Sequence, residues 1–273
     1  EGKLYLGTNQ GLFSIDWPLP YKSNLRNRVS RVAGIKGQIW GLNRLGTSLI
    51  INSHDGAFQL QKGAIFPISP PHGAWKIMPL HGAPSLAIEG GYTGLYLYEN
   101  TSNNADLPNW RFKHRMEGFD ESARVIEQDQ DGNIWVSHAY KGLFKIRLTD
   151  DYQKAEVRYF GEEDGLPGTI AINVLKIDNE VLFTTPDGVY TYDQESDRFS
   201  PYEAFNKALG GKQEIHRLLQ DEEKRLWFSM GKEFGYLNIQ EKGFYTVNLV
   251  TEAMYKQAHQ TSAKYPDGVS EFE

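Results

Sequence analysis

Residues 131–146 decide the fold prediction, and they read Asp-Gly-Asn-Ile-Trp-Val-Ser-His-Ala-Tyr-Lys-Gly-Leu-Phe-Lys-Ile. Apolar and polar residues alternate in two short runs, and a polar turn with a glycine precedes each run. Such alternation is typical of half-buried β-strands, and Gly-bounded polar breaks are typical of tight turns. The stretch therefore predicts two antiparallel strands, with the second strand opening at Gly142.

The same arrangement recurs along the sequence, in residues 3–16, 48–58, 85–98, 181–192 and 225–237. The glycines that open the second strand of each copy are Gly11, Gly56, Gly94, Gly142, Gly188 and Gly235. Their mean spacing is about 45 residues, and four short strands with their turns use roughly 40–50 residues. We therefore predict an all-β protein, a β-propeller of four-stranded antiparallel blades.

Six blades are predicted over residues 1–250, and they either close a ring or belong to a ring of seven. The first residues read as a second and a third strand, so the chain is expected to start inside a blade. The tail, residues 251–273, is expected to begin a further blade or to supply the strand that completes blade 1. A short helix is predicted at residues 203–209, ended by Gly210 and Gly211.

Composition excludes several classes of function. The net charge is −6, from 35 acidic and 29 basic side chains without a basic run, so this region is not expected to contact nucleic acid. The chain has no cysteine, which excludes disulfides and thiolate metal sites. No apolar stretch is long enough for a membrane helix. The sequence begins with Glu1, so we expect any targeting or membrane segment to lie in flanking sequence.

Motifs for metal binding or catalysis are not found. The seven histidines never show the spacing that places two imidazoles on one metal. Residues 129–133 resemble the start of a calcium loop, but the twelfth position is Tyr140 instead of a bidentate Glu. No Gly-x-Ser-x-Gly elbow and no phosphate-binding loop occurs. We predict no catalytic residue, no metal and no cofactor.

A ligand is expected to meet the loops at the mouth of the central channel, which lie between second and third strands and between blades. The candidate ligand-binding residues are Asn9, His54, Tyr92, Tyr140, Lys141, Asp187 and Lys232. The aromatic residues of the second strands are instead predicted to pack between blades, because they bury large areas. These are Tyr5, Trp135, Phe183 and Trp227.

Two motifs resemble those of a known family. Asp-x-x-Gly-x-Ile-Trp-x-Ser at residues 129–137, followed by Gly-Leu at 142–143, resembles the two-component regulator propeller repeat. Asp-Gly-Leu-Pro-Gly at residues 164–168, followed by Asn173 and Val174, looks like its inter-blade signature. Blades 2 and 3 depart from this pattern at residues 41–43 and 90–92, so the strand register there stays open.

The resemblance implies a non-catalytic sensor domain. Similar repeats form periplasmic sensor regions of Bacteroidetes hybrid two-component systems and of related triple-tyrosine-motif regulators. It implies a periplasmic location, a carbohydrate or similar small ligand, and a homodimer in the full-length receptor. Two alternatives remain open: an interaction scaffold with an exposed apolar patch, and a propeller lyase or hydrolase with converging carboxylates or histidines.

Overall fold

The structure, a computed structural model, describes residues 2–17, 29–104, 106–178, 180–211, 214–215, 217–239 and 245–250. These residues form a six-bladed β-propeller, so the fold prediction is confirmed. Blades 2 to 6 are four-stranded antiparallel sheets whose strands pair in chain order, and the described part of blade 1 has three strands. The tail, residues 251–273, lies outside the described residues, so its assignment stays a prediction.

The strands follow one another blade by blade. Blades 1 and 2 contain β1 (Gly2–Thr8), β2 (Gly11–Trp17) and β3 (Val29–Arg31), then β4 (Ile39–Leu45), β5 (Ser48–Ser53), β6 (Gly56–Gln61) and β7 (Ala64–Pro67). Blades 3 and 4 contain β8 (Ala74–Leu80), β9 (Ala83–Gly91), β10 (Gly94–Asn100) and β11 (Trp110–Arg115), then β12 (Val125–Gln128), β13 (Ile134–His138), β14 (Gly142–Leu148) and β15 (Ala155–Phe160).

Blades 5 and 6 contain β16 (Asn173–Ile177), β17 (Glu180–Thr185), β18 (Gly188–Asp193) and β19 (Arg198–Pro201), then β20 (Arg217–Gln220), β21 (Leu226–Met230), β22 (Glu233–Ile239) and β23 (Tyr245–Leu249). The predicted helix between them is α1 (Glu203–Ala208). No helix among the described residues has the length and apolar character needed to cross a bilayer.

One hydroxyl turn recurs where the second strand of a blade meets the third. In blade 2 the Ser53 hydroxyl donates to the Gly56 carbonyl oxygen at 3.0 Å, and in blade 5 Thr185 donates to Gly188 at 2.9 Å. Thr8 makes the same bond to Gly11 in blade 1, also at 2.9 Å. This equivalence identifies β1 and β2 as the second and third strands of blade 1, which agrees with the expectation that the chain starts inside a blade.

These turns define one end of the propeller, here called the upper end. In an antiparallel sheet of four strands, the turn between strands two and three lies at the same end as the connection to the next blade. Gly56, Gly94 and Gly188 take φ values of 105–124° at these turns, a conformation that strongly favours glycine. Gly235 does not lie in such a turn. It lies inside β22, and the glycine with positive φ in the turn of blade 6 is Gly231.

Among the described residues, five apolar clusters hold the six blades together, one between each pair of successive blades. The cluster between blades 4 and 5 is centred on Trp135, which is 1% exposed and contacts Phe183 at a ring distance of 5.0 Å. The Trp135 indole also donates to Asp129 at 2.9 Å, which ties the turn to the core. Trp135 and Phe183 are thus core residues, as the sequence predicts.

Candidate functional site

The seven predicted ligand-binding residues all lie in turns between second and third strands, at the upper end. The structure brings two of them together: the His54 Nδ1 and the Tyr92 hydroxyl are 3.1 Å apart. Lys141 pairs with Glu121 at 2.7 Å, next to an exposed Tyr140. The remaining three lie in the turns of blades 1, 5 and 6: Asn9, Asp187 and Lys232.

Two tryptophans that are not among the candidates predicted from the sequence dominate the surface beside His54 and Tyr92. The pairing of β4 with β5 shifts between Ile39 and Gly41, which makes Trp40 an extra residue in its strand. The pairing of β8 with β9 shifts between Ala74 and Lys76, which does the same for Trp75. β-Bulges redirect a side chain and are enriched beside functional sites. Here two bulges at the upper ends of neighbouring innermost strands each carry a Trp.

The bulges place four rings in a row, here called the aromatic row: Trp40, Trp75, Tyr92 and His54. The ring centres are 4.6 Å apart for Trp40 and Trp75, 4.6 Å for Trp75 and Tyr92, and 5.7 Å for Tyr92 and His54. All three larger rings are half-buried, and His54 is exposed. The row therefore presents aromatic surface to solvent on a framework of paired strands.

Glycines make this close packing feasible. A Cβ atom on Gly73 would lie 2.3 Å from the Tyr92 ring, and one on Gly90 would lie 2.0 Å from the Ala123 carbonyl oxygen. The Tyr92 amide donates to the Gly73 carbonyl at 2.9 Å, which fixes the ring over that glycine. The departures from the repeat pattern at residues 41–43 and 90–92 thus accompany the local rearrangement that forms the aromatic row.

Polar groups border the aromatic row on the side of blade 4. The Arg124 guanidinium lies 5.5 Å from the centre of the Trp75 ring, within the range of a cation–π contact. The Trp75 indole donates to the Ser122 hydroxyl at 3.2 Å. Glu121, next in sequence, carries the ion pair with Lys141. The upper surface of blades 2 to 4 thus combines aromatic faces with hydroxyl, guanidinium and ammonium donors.

A buried carboxylate lies between blades 2 and 3, in the strand that leads to Tyr92. Glu89 is 0% exposed and accepts from Asn52 at 2.9 Å and from the Tyr98 hydroxyl at 3.1 Å. Its other oxygen is 2.5 Å from the His72 Nε2. His72 stacks on Tyr96 with ring centres 4.2 Å apart. We call these residues the Glu89 network.

The Glu89 network perturbs the acidities of its members. Burial raises the pKa of Glu89 above its usual value, although its hydrogen bond to His72 opposes this. Burial lowers the pKa of His72, but the hydrogen bond and the charge of Glu89 outweigh burial, so the pKa is raised overall. Burial and the nearby carboxylate raise the pKa of Tyr98 well above its usual range. The hydrogen-bonded His72–Glu89 pair therefore holds a proton that the separated groups would lose more readily.

The two parts of this surface differ in how accessible they are. A catalytic carboxylate must reach a substrate, and the Glu89 carboxylate is sealed between two blades with its oxygens already bonded to protein donors. Among the described residues, no group of three or more His, Asp or Glu side chains is arranged to hold a metal. The aromatic row, in contrast, offers half-buried ring faces and an exposed imidazole.

A groove of about 490 Å³ lies at the opposite end, between blades 4 and 5. Two of its polar lining residues, Asp129 and Tyr192, are hydrogen-bonded within the protein. Asp129 accepts from Trp135 and from Asn133, and the Tyr192 hydroxyl donates to Asp197 at 2.5 Å. We therefore place the candidate site on the aromatic row.

Comparison with known proteins identifies the fold alone. No family model and no curated protein matches the sequence. Solved structures do match: the extracellular domain of BT3049 from B. thetaiotaomicron, described as a hybrid two-component system, has 14% identity and a TM-score of 0.61, with 92% of this chain and 34% of that chain covered. This likeness shows that the chain has a propeller fold.

Two further structures show how widely this propeller fold is used. The extracellular domain of BT4673 from B. thetaiotaomicron, described as a one-component system, has 15% identity and a TM-score of 0.56, with 92% of this chain and 42% of that chain covered. Virginiamycin B lyase from Staphylococcus aureus has 12% identity and a TM-score of 0.54, with 92% and 81% covered. This propeller thus spans about a third to two fifths of the BT3049 and BT4673 chains.

Proposed function

We propose that this propeller is a non-catalytic, ligand-sensing domain of an extracytoplasmic bacterial signal-transduction receptor, and that the aromatic row binds its ligand. The observation that carries the proposal is the pair of bulges that turn Trp40 and Trp75 toward each other. A bulge interrupts a ladder without improving the core, so two adjacent bulges with touching Trp rings favour a binding role over a packing role.

The favoured ligand is a carbohydrate or a similar small ring compound. Aromatic rings offer large, rigid apolar area, and the half-buried faces of Trp75 and Tyr92 suit the apolar face of a sugar ring. His54, Arg124 and Lys141 lie around them and supply donors to hydroxyl or carboxylate groups. The likeness to extracellular domains of regulators supports a periplasmic sensor that is part of a longer receptor, and the homodimer of that receptor remains a proposal.

The enzyme alternative is less favoured. Lyases and lactonases also use this fold, and the His72–Glu89 pair is the kind of coupled group that catalytic sites contain. Accessibility favours the binding role, because Glu89 is 0% exposed whereas the rings of Trp40, Trp75 and Tyr92 are half-buried and His54 is exposed. Signalling then rests on a shift between two arrangements of rigid modules, in which the ligand stabilises the arrangement it binds better.

The test is calorimetric titration of the 273-residue chain with a panel of neutral and acidic oligosaccharides, preceded by a thermal-shift screen. Trp75→Leu keeps apolar bulk but removes the ring, and we expect it to weaken binding at least tenfold. Trp227→Leu is the matched control, because Trp227 is also half-buried but lies in blade 6. Equal losses in the two variants, or binding unaffected by Trp75→Leu, would refute the site.

A further inference from the structure

Another groove, here called the channel groove, lies at the end of the propeller opposite the aromatic row. It has a volume of about 620 Å³ and is lined by the innermost strands of blades 4, 5 and 6, through Glu127 in β12, residues 175–177 in β16 and residues 218–220 in β20. Asp178 and Lys224, in the turns that follow β16 and β20, complete the lining. In a four-stranded antiparallel blade these turns lie at the end opposite the turn between strands two and three. The channel groove is therefore separate from the aromatic row, and it has the size of a small-molecule site.

Two lysines at the channel groove are paired with carboxylates, and a third is not. Lys76, in β8, pairs with Glu127 at 2.5 Å, and Lys224 pairs with Asp178. Lys176, in β16, is half-buried. In the described part of the chain, no carboxylate oxygen lies within 4.0 Å of the Lys176 Nζ. Lys176 is thus available to pair with a bound anion.

The contacts of Lys176 are with neutral groups. Its ammonium donates to the Gln128 carbonyl oxygen at 2.9 Å and lies 3.4 Å from the His81 Nε2. An imidazole nitrogen accepts from an ammonium only in the neutral form of the ring, and an ammonium has three N–H donors, so at least one donor is left for a ligand. Burial lowers the pKa of Lys176, and the charges of Glu127 and Asp129 oppose this only in part. An added negative charge would therefore stabilise the ammonium.

A donor without a partner belongs to the same lining. The Gln220 Oε1 accepts from the Asp178 backbone amide at 3.0 Å, and this bond fixes the orientation of the side-chain amide, because its nitrogen cannot accept. The Gln220 Nε2 is then buried without a hydrogen-bond partner among the described residues. Buried donors without a partner are rare in native proteins, and such a group points to an acceptor that binds beside it. The Lys176 ammonium and the Gln220 amide thus both favour a ligand with acceptor oxygens.

The rest of the lining decides which kind of acceptor fits. Leu175 and Leu218 pack on the apolar cluster between blades 5 and 6, and Leu219 is 69% exposed. Glu127 and Asp178 contribute carboxylates to the lining. A doubly charged phosphate would be repelled by these carboxylates and would gain nothing from the leucines. A singly charged carboxylate with an apolar body meets less repulsion and buries apolar surface.

We propose that the channel groove binds a small organic carboxylate, whose oxygens accept from the Lys176 ammonium and the Gln220 amide and whose apolar body lies on the leucines of β16 and β20. Lys176 recognises the charge, and the Gln220 amide orients the carboxylate. The site lies at the opposite end of the propeller from the aromatic row, so it does not depend on the ligand proposed for that row.

Ligand-observed NMR titration of the full 273-residue chain with benzoate and hexanoate tests the proposal. Benzamide and hexanamide are the uncharged counterparts of similar shape, and inorganic phosphate is the anion without an apolar body. Compounds of this size bind with Kd values of about 1 mM, so the titrations extend to about 20 mM. We expect at least one carboxylate to bind at least tenfold more tightly than its amide, and more tightly than phosphate. The proposal is wrong if neither carboxylate binds more tightly than its amide, or if phosphate binds more tightly than both.

Substitutions locate the site of carboxylate binding. Lys176→Met keeps the length of the side chain but removes its charge, and it should weaken binding at least tenfold. Gln220→Met removes the amide donor and should weaken binding at least about threefold. Lys113→Met is the matched control, because Lys113 also lies in a strand but outside the channel groove, in β11, and it should bind normally.

Urea unfolding of each variant shows that the loss of binding is not a loss of folding. Equal losses in Lys176→Met and Lys113→Met, or unchanged binding in a folded Lys176→Met, would overturn the proposal. If Lys176→Met does not fold, Gln220→Met decides, and unchanged binding in that variant would overturn the proposal on its own.

Discussion

Replacement of Glu89 tests how much of the stability of blades 2 and 3 depends on one buried carboxylate. Glu89→Leu removes the acceptor of Asn52, Tyr98 and His72 in one step. Asn52 and Tyr98 are 0% exposed, so water cannot replace the lost acceptor for these two donors. Loss of one partner from a buried charged pair costs about 3–5 kcal/mol. Because domains are stable by about 5–15 kcal/mol, this variant should lose a large part of its free energy of unfolding.

Glu89→Gln separates charge from shape. The amide oxygen can accept from Asn52 and Tyr98, the amide NH₂ can donate to a neutral His72 Nε2, and the His72 Nδ1 can donate to the Pro70 carbonyl. Because every group keeps a hydrogen bond, we expect Glu89→Gln to lower the free energy of unfolding near pH 7 by only about 1 kcal/mol. Glu99→Leu is the control, since Glu99 forms an exposed pair with Lys113 that contributes at most about 1 kcal/mol.

The pH dependence follows from the same pair. The pKa of His72 is raised in the folded protein, so above pH 6.5 the native state holds a proton that the unfolded state releases. The contribution of His72 to stability is therefore full below pH 6.5 and is lost as the pH rises through the raised value, by at most about 1.4 kcal/mol per pH unit. The raised pKa of Glu89 acts with the same sign from pH 4.5 upward. Glu89→Gln should abolish this decline above pH 7.

Urea unfolding followed by circular dichroism at pH 6, 7, 8 and 9 measures all of these effects. The midpoint and slope of each transition give the free energy of unfolding. The reasoning fails if Glu89→Leu costs no more than Glu99→Leu. It also fails if Glu89→Gln and the unaltered chain lose stability in parallel between pH 7 and pH 9.

Two further variants probe the site and the core. Gly73→Ala places a Cβ atom 2.3 Å from the Tyr92 ring and should displace the aromatic row, so we expect calorimetry to show ligand binding weakened at least tenfold. Gly168→Ala is the control: its Cβ atom would have no neighbour within 4 Å, so this variant should bind the ligand normally. Trp135→Ala empties the centre of the cluster between blades 4 and 5 and should cost about 3–5 kcal/mol in urea unfolding. A cost below about 1 kcal/mol would show that the cluster does not depend on Trp135.

The sequence predicts the blades well, because each strand pair carries its own signal. The Gly-opened strand of blade 4 and the Trp135 cluster follow from alternation and from the need to bury large rings. The turn positions of His54 and Tyr92 follow from the same pattern. The direct contact between His54 and Tyr92 does not follow from the sequence pattern, since it depends on how two separate blades pack.

The aromatic row was missed for a physical reason. An extra residue in a strand disturbs the alternation that reveals strands, so Trp40 and Trp75 lie where the pattern is poorest. The only signal in the sequence was that blades 2 and 3 depart from the repeat pattern at residues 41–43 and 90–92. Glu89 was missed because a lone carboxylate in a strand looks like any solvent-facing residue until its partners on other strands are placed.

The paired bulges have a consequence for how such a surface can be gained or lost. Each bulge is one residue in length, and regular pairing follows it over residues 41–45 of β4 and residues 76–79 of β8. Insertion or deletion of a single codon at either position is therefore sufficient to create or erase an indole at the channel mouth while the rest of the blade keeps its pairing. Recognition in this architecture can consequently diverge between gene copies by small in-frame length changes as well as by substitution.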